Sequence, residues 1–226
     1  MKNSSLLEKK NIIRSLATIL AALLICLGVF TSREINSIFY SAQDLLVILC
    51  ATCLGGVSGA GAAGIYILLG CFNLKVFPGF NCGLEAISSQ NAGFIWGFFL
   101  GALVAGLFAG NPLEYEKKFS VKKTIFLAIG IFLGFAIIDT IGLFWFCYSS
   151  DIDFFGNFKE SVSKFIKPFI LDKSIKFFLT LLISLILRPV IAKILYPAAD
   201  TEKEAEELLE KLKKSQKNKN HKKNQK

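Results

Sequence analysis

At 226 residues, with 53% hydrophobic residues and a mean hydropathy of +0.53, the chain is too apolar to be a water-soluble globular domain. Its formal charge of +9 is weak evidence for a nucleic-acid partner, because most of the surplus Lys and Arg lies at the two ends and in one short loop. We therefore expect an all-α membrane protein that binds no nucleic acid.

Apolar segments predict about six transmembrane helices. They cover residues 15–30, 44–54, 62–72, 91–109, 124–146 and 174–194. A helix needs about 20 residues to cross the hydrocarbon core, so the second and third segments, separated by the glycine-rich stretch 55–61, are short for a full crossing. Pro78 and Gly79 predict an irregular loop over 74–90. A longer loop is expected over 148–172.

Basic residues predict the orientation of these spans. If both termini are cytoplasmic, the basic N-terminal residues, the Lys cluster within 117–123 and the tail all lie on the inner side, as the positive-inside rule requires. The loops 77–90 and 148–172 then lie outside, and a pocket between them faces outward. We predict a transmembrane substrate-binding domain over 1–200 and a charged, partly disordered cytoplasmic tail over 201–226.

The residues that could carry catalysis do not assemble an enzyme site. The sequence has one His, in the tail, and no GxxxxGK[ST] nucleotide-binding loop. Its six Cys are interpreted as small packing residues rather than metal ligands. We expect no enzymatic activity, no metal and no cofactor, and any ATP used must be hydrolysed by a partner.

Charged residues at membrane depth are the first candidates for a binding site, because a charge at the centre of a span costs roughly 2.5–3.5 kcal/mol on insertion. Asp139 lies midway along the fifth span, where it either contacts a ligand or fixes packing. Asp172 and Lys176 lie four residues apart on one face at the outer start of the last span. They form either a simple ion pair or a site in which Lys176 meets a substrate.

Polar and aromatic residues around the third and fourth spans are further candidates. Gln90 and Asn91 open the fourth span, where the free N–H groups of a helix start favour oxygen ligands, although Asn91 also suits an ordinary cap. Tyr66, Phe77 and Phe80 could surround an apolar ring, or could mark the membrane interface. The residues themselves leave these alternatives open.

Small residues at four-residue spacing predict close helix contacts. Gly93, Gly97 and Gly101 follow this spacing along the fourth span, where we expect packing inside the bundle. Ala17 and Ala21 follow it on the first span and could face a partner subunit.

Three motifs occur in a fixed order between residues 55 and 110. They are Tyr66 with Gly70, Val76-Phe77-Pro78-Gly79-Phe80 with Gly83, and Ala92-Gly93-Phe94-Ile95-Trp96-Gly97-Phe98. In this order they resemble the biotin-specific S-component family of energy-coupling factor (ECF) transporters, often called BioY. Gln43, Pro168-Phe169 and Lys176 extend the resemblance over nearly the whole chain except the tail. Ala17 and Ala21 resemble the family's first-helix contact with the coupling subunit.

The resemblance implies a six-helix, ECF S-component-like bundle in the bacterial cytoplasmic membrane, with both termini inside. It implies that the subunit captures biotin from outside and delivers it with a transmembrane coupling subunit and two cytoplasmic ATPases. The candidate substrate-binding residues are Lys176, Asp172, Lys173, Gln90, Asn91, Phe77, Phe80, Asn81, Gly83, Tyr66, Asp139 and Gln43. The alternatives are an S-component for another carboxylated vitamin and a membrane scaffold protein.

Two departures from the family pattern fall among these candidates. The family usually has Pro-Gly-Asp-x-x-Lys before the last helix, and alignment on Lys176 places Lys173 at the acidic position, with Asp172 one residue earlier. Asp139 stands where the family often has a Tyr in the fifth span. Both changes alter the charge expected around the ligand.

Overall fold

The computed structural model describes residues 2–35, 37–110, 121–150 and 167–195, in which the chain forms seven α-helices and one β-hairpin. The helices are α1 Lys2–Leu27, α2 Gln43–Leu54, α3 Gly56–Cys71, α4 Gly83–Ala86, α5 Ala92–Ala109, α6 Val121–Ser149 and α7 Lys167–Leu195. The hairpin consists of β1 Arg33–Ile35 and β2 Ile38–Tyr40, and 3-10 turns cover Gly28–Thr31 and Pro78–Phe80. Predictions for the tail 201–226, for Lys117 and Lys118, for most of the loop 148–172, and for the Pro168 and Phe169 side chains lie outside what the structure describes.

Four of these helices are long and apolar enough to cross a membrane, so the chain is a multi-pass membrane protein. The candidate spans are Asn11–Thr31, which continues from α1 through the following 3-10 turn, and Ala92–Ala109, Val121–Ser149 and Ile170–Ile194. The α2 and α3 helices are apolar but have only 12 and 16 residues. At 1.5 Å per residue α2 extends about 18 Å, well short of the hydrocarbon thickness. The predicted count of six spans is not confirmed: in the described part of the chain four helices are long enough to cross, and α2 and α3 are shorter.

The glycine-rich stretch 55–61 was predicted to separate the second and third spans, but nearly all of it belongs to α3, which starts at Gly56 rather than at residue 62. Only Gly55 breaks the chain, with φ of 91°, and α3 starts at the next residue. The close approach of α2 explains why this stretch is rich in glycine, because a Cβ on Gly59 would overlap Ala51 of α2. These glycines therefore serve close helix packing, which a pattern of loop-forming residues does not reveal.

The last helix also starts earlier than predicted. Because α7 begins at Lys167, Asp172 and Lys173 lie within the helix rather than in the preceding loop. On this helix Lys173 and Lys176 are three residues apart, and Asp172 and Lys176 are four apart, so their side chains reach the same region of the bundle.

The predicted close packing of the fourth span is confirmed. A Cβ on Gly97 would lie 2.9 Å from the Ile138 Cα of α6, and one on Gly101 would lie 2.8 Å from the Gly134 carbonyl oxygen. A Cβ on Gly93 would overlap Trp145 of the same helix. The α5 and α6 helices therefore form a closely packed pair.

Buried polar contacts fix α7 against the rest of the bundle. Thr52 of α2 and Ser184 of α7 are fully buried and their hydroxyl oxygens hydrogen-bond at 2.8 Å. One turn further along, the buried Arg188 donates from Nη2 to the carbonyl oxygens of Ala109 and Gly110, at 2.8 and 3.1 Å. Since these carbonyls end α5, Arg188 stabilises that helix end. The contacts hold α7 in a fixed position against α2 and α5.

A hairpin and a folded loop cover the opposite end of the bundle, where α1 ends and α2, α5 and α7 begin. The hairpin was not predicted, and its strands pair Glu34 with Phe39 around a turn at Ser37. Two indole N–H groups hold the loop before α5: Trp96 donates to the Ile87 carbonyl at 3.2 Å and Trp145 to the Ser89 carbonyl at 2.9 Å.

Candidate functional site

An ionic cluster lies at this covered end, where α2, α6 and α7 meet. Lys173 on α7 contacts the carboxylates of Asp44 on α2 and, at 2.8 Å, of Asp139 on α6. Lys176 lies 3.0 Å from Asp44 and 2.6 Å from Asp172. The predicted ion pair between Asp172 and Lys176 is therefore present in the structure, as part of a larger network that we call the ionic cluster: Asp44, Asp139, Asp172, Lys173 and Lys176.

Asp44 is the centre of this cluster, because it contacts both lysines. It occupies the first turn of α2 and is only 5% exposed, and its Oδ1 also accepts a hydrogen bond from the Leu45 N–H at 2.8 Å. Asp44 was not among the substrate-binding residues predicted from the sequence. A signal was present, since Asp44 is the only acidic residue between Glu34 and Glu85 and opens a strongly apolar helix.

The two departures from the family pattern contact each other. The resemblance aligned Lys173 with a position that is usually acidic and Asp139 with one that is often Tyr. In the structure the Lys173 ammonium pairs with the Asp139 carboxylate. The same ammonium lies 5.4 Å from the centroid of the Phe135 ring, a cation–π distance. The extra lysine is thus accommodated by the extra carboxylate, and neither charge is buried alone.

The charge balance of the cluster is negative. Three carboxylates face two ammonium groups, which gives a formal charge of 2 − 3 = −1. Each ammonium contacts two carboxylates, and Lys176 also donates to the Ser41 carbonyl oxygen at 2.8 Å. A further carboxylate is therefore disfavoured here, whereas a neutral group with both donors and acceptors can bind without adding charge.

A small cavity, the ionic cavity, adjoins the cluster and encloses about 20 Å³. Polar walls are provided by Tyr40, Ser41, Asp44, Asp172, Lys173 and Lys176, and apolar walls by Phe39, Pro78, Phe94, Phe98 and Ile138. Burial, together with the nearby Asp172 carboxylate, raises the pKa of Tyr40 to about 12, so its hydroxyl stays protonated at neutral pH. A cargo in this cavity would meet hydroxyl, carboxylate and ammonium groups on one side and aromatic rings on the other.

A second cavity of about 20 Å³, the amide cavity, lies under the loop that precedes α5. Its polar walls are Asn81, Ser89 and Asn91, and its apolar walls include Phe77 and Ile95. Asn91 donates from Nδ2 to the Ser37 carbonyl at 3.1 Å, and its buried Oδ1 has no hydrogen-bond partner within the described part of the chain. The amide oxygen is therefore available to a donor on a ligand.

The structure brings half of the predicted substrate-binding residues to these cavities. The residues that line one of them are Asp172, Lys173, Lys176, Phe77, Asn81 and Asn91. Asp139 reaches the site through its contact with Lys173.

The remaining candidates lie behind or beside the cavity walls. Gln43 is fully buried, and its amide donates to the Val76 carbonyl at 2.7 Å and to the Tyr66 hydroxyl at 3.2 Å. The Tyr66 ring packs edge-on against Phe77, so both residues support the cavity wall from behind. Phe80 is 47% exposed and packs against Phe30 outside both cavities.

Gly83 and Gln90 complete the set of candidates. Gly83 starts α4 with φ of 81°, a conformation that favours glycine, and therefore shapes the loop. Gln90 is exposed and lines neither cavity. Their predicted contacts with a ligand remain predictions.

Ala17 and Ala21 line an apolar groove of about 260 Å³ between α1, α2 and α7. Cys50 and Cys53 of α2 lie on its floor as free, buried thiols, and Ile191 of α7 forms part of the opposite wall. The groove lies away from the hairpin, toward the Arg188 end of the bundle. The predicted partner-binding residues therefore share one surface that is separate from the ionic cavity.

Comparison with known proteins places the chain in a family. Residues 1–193 match the family model described as the BioY family. A biotin transporter BioY of Thermotoga maritima is 33% identical over 166 residues, which are 73% of this chain and 89% of the relative. A biotin transporter BioY of Rhizobium etli is 26% identical over 150 residues, 66% of this chain and 80% of the relative.

A solved structure agrees at the level of the fold. The S-component for biotin from an ECF-type ABC transporter, solved at 2.1 Å, aligns with a TM-score of 0.67 and 19% identity over 80% of this chain and 93% of that one. Together with the match of the family model over most of the sequence, these comparisons confirm the resemblance inferred from the motifs. The chain belongs to the BioY family of transporter proteins.

Proposed function

We propose that this protein is the biotin-capturing S-component of an ECF-type vitamin transporter. The ionic cluster beside an aromatic-walled cavity is the observation that carries the proposal. Biotin has a ureido ring with hydrogen-bond donors and an acceptor, an apolar thioether ring and a carboxylated tail. Both curated relatives carry the name of biotin transporter, which supports the same cargo for this chain.

The cargo binds with its ureido ring at the ionic cluster. Carboxylates of the cluster accept hydrogen bonds from the ureido N–H groups, while an ammonium donates to the ureido oxygen. The excess negative charge of the cluster directs the biotin carboxylate away from it, toward the amide cavity. There the amide nitrogens of Asn81 and Asn91 each donate one N–H to a backbone carbonyl and keep a second N–H for the carboxylate, and the cavity lining includes no acidic side chain.

The proposed topology has six crossings, with the two short helices α2 and α3 forming one inward and one outward crossing. The α2 helix is buried along nearly its whole length, which shields its ends from lipid, and α3 is buried along half of its residues. Arg14, Lys122, Lys123 and Lys193 then lie near the cytoplasmic side, and the ionic cavity opens outward. Both termini are cytoplasmic in this arrangement, and the host membrane is the bacterial cytoplasmic membrane.

ATP-driven delivery requires partners. We assign the groove around Ala17 and Ala21 to the transmembrane coupling subunit, because small residues there allow close approach of a helix. Two cytoplasmic ATPases supply the energy through that subunit.

Labelled biotin, competed by a panel of vitamins, tests the proposed cargo. Purified protein is expected to bind labelled biotin saturably, with displacement by unlabelled biotin but not by thiamine, riboflavin or pantothenate. Displacement by pantothenate alone would assign the pocket to a different carboxylated vitamin. Absence of binding for every compound would favour a scaffold role.

A further inference from the structure

The hydrogen-bonding positions of the Asp44 carboxylate are all occupied in the structure. Its Oδ1 accepts from the Leu45 N–H at 2.8 Å and lies 3.0 Å from the Lys176 ammonium. Its Oδ2 accepts from Lys176 at 3.1 Å and from Lys173. An ionised carboxylate has about four lone-pair positions, so these contacts fill them. A ureido N–H therefore reaches Asp44 only after one of the present donors leaves.

Lys173 is the donor whose departure also opens space for a cargo. The Leu45 N–H is fixed by the backbone of α2. The other partners of Lys176 are the Asp172 carboxylate at 2.6 Å and the Ser41 carbonyl oxygen at 2.8 Å, and both of these residues line the ionic cavity. A shift of Lys176 toward them would leave its ammonium inside that cavity.

The α6 helix provides a second position for the Lys173 ammonium. Asp139 Oδ1 lies 2.8 Å from the Lys173 Nζ, and the centroid of the Phe135 ring lies 5.4 Å from it. Asp139 and Phe135 are four residues apart, so they share one face of α6, and neither lines the ionic cavity. Among the described residues Lys173 is the only ion-pair partner of Asp139. This carboxylate and ring can therefore hold the ammonium behind the cavity wall.

We infer that Asp139 is a positioning residue that frees Asp44 for the cargo. In the structure Lys173 bridges the two carboxylates. When the cargo enters, the Lys173 ammonium moves wholly onto Asp139, and Asp44 Oδ2 accepts a ureido N–H in its place. The exchange selects a cargo with an N–H donor, because any other cargo would leave a buried carboxylate oxygen unpaired. This inference rests on the proposed function.

Long-range charge and this exchange predict opposite effects for Asp139→Asn. The substitution removes one of the three carboxylates of the ionic cluster and raises its formal charge from −1 to 0. Weaker repulsion of the biotin carboxylate would then tighten binding. The exchange predicts weaker binding, because Lys173 keeps Asp44 as its carboxylate partner and a ureido N–H would have to displace a buried ammonium that has no second carboxylate to receive it.

Equilibrium binding of labelled biotin to purified variants tests the exchange. We expect Asp139→Asn to raise the Kd about 10- to 100-fold, as for loss of one charge-assisted hydrogen bond. In Asp139→Asn/Lys173→Met both charges are absent and Asp44 keeps an open position, so the Kd should return to that of wild type or lower. Asp139→Glu keeps a carboxylate, and its Kd should lie between those of wild type and Asp139→Asn. Glu85→Gln is the matched control, because Glu85 is an exposed acid on α4 that lines neither cavity.

The outcomes separate this inference from the proposed function. A Kd for Asp139→Asn equal to or below that of wild type would overturn the role of Asp139 while leaving biotin as the cargo. A double variant as weak as Asp139→Asn would also overturn it, because the loss would then not come from Lys173 held on Asp44. A wild-type protein that binds no biotin would remove the proposed function and this inference with it.

Thermal unfolding shows whether the compared proteins are folded. Asp139→Asn leaves Lys173 with one carboxylate fewer, whereas the double variant removes both members of the pair and leaves no buried charge alone. If only the double variant folds, its affinity carries the test. Binding at least as tight as that of wild type is then the expected result, and a loss of about tenfold or more would overturn the exchange.

Discussion

Replacement of Asp44 by Asn is the most direct perturbation of the ionic cluster. The amide keeps the size of the side chain but removes the charge that both Lys173 and Lys176 contact. Removal of one partner from a buried ion pair typically costs about 3–5 kcal/mol. Since Lys173 retains Asp139 and Lys176 retains Asp172, we expect a loss at the lower end, about 3 kcal/mol of stability.

The same substitution removes the carboxylate proposed to accept from the ureido ring. Loss of a charge-assisted hydrogen bond is worth about 1.5–3 kcal/mol, which corresponds to a roughly 10- to 100-fold rise in the Kd for biotin. Purified Asp44→Asn is compared with wild type by equilibrium binding of labelled biotin and by thermal unfolding. Glu34→Gln is the control, because Glu34 is an exposed acid on the hairpin outside the cluster. Biotin affinity equal to that of wild type in Asp44→Asn would refute the reasoning.

Three further predictions concern the cargo, the partner and the packing of the wall. Lys176→Ala should weaken biotin binding at least about tenfold, since it removes a donor to the ureido oxygen, and it should still insert into the membrane. Equilibrium binding and membrane fractionation measure the two effects. Unchanged affinity would show that Lys176 is not part of the site. Ala17→Leu should reduce ATP-driven uptake by the assembled transporter while biotin binding stays intact, because the larger side chain fills the groove; normal uptake would exclude that surface. Gly70→Ala should lower stability by about 1–3 kcal/mol in thermal unfolding, because its Cβ would overlap the Phe77 ring. Gly64→Ala on the same helix is its control, with Phe99 at an ordinary 3.8 Å, and equal losses in the two variants would contradict the packing argument.

Local sequence spacing predicted those features that depend on a single helix. The pair of Asp172 and Lys176 follows from a separation of four residues, and the Gly97 and Gly101 contacts follow from a small-residue stripe. The family itself was recognised from motifs clustered in about one quarter of the chain. In each case the interacting groups, or the pattern that marks them, lie within one short segment.

Features that depend on distant segments could not be predicted. Asp44 and Lys173 are separated by 129 positions, so no local pattern predicts their contact. An acidic residue in an apolar segment does indicate a functional site, but it does not identify the partner. The hairpin around Phe39 was not predicted because its two strands have three residues each, too few to show the alternation of apolar and polar residues that marks a strand. The glycines near Gly59 were predicted to separate two spans, and the structure places them in α3, because glycine serves both breaks between helices and close helix packing.

Competition between two partial analogues of biotin tests the central claim that the ionic cluster binds the ureido ring. Biotin methyl ester keeps the ureido ring and loses the carboxylate, whereas lipoate keeps a carboxylated tail and has no ureido group. If the ionic cluster binds the ureido ring, the ester displaces labelled biotin from the purified protein with a potency within about tenfold of that of biotin itself, and lipoate does not displace it. Displacement by lipoate with no effect of the ester would contradict the claim.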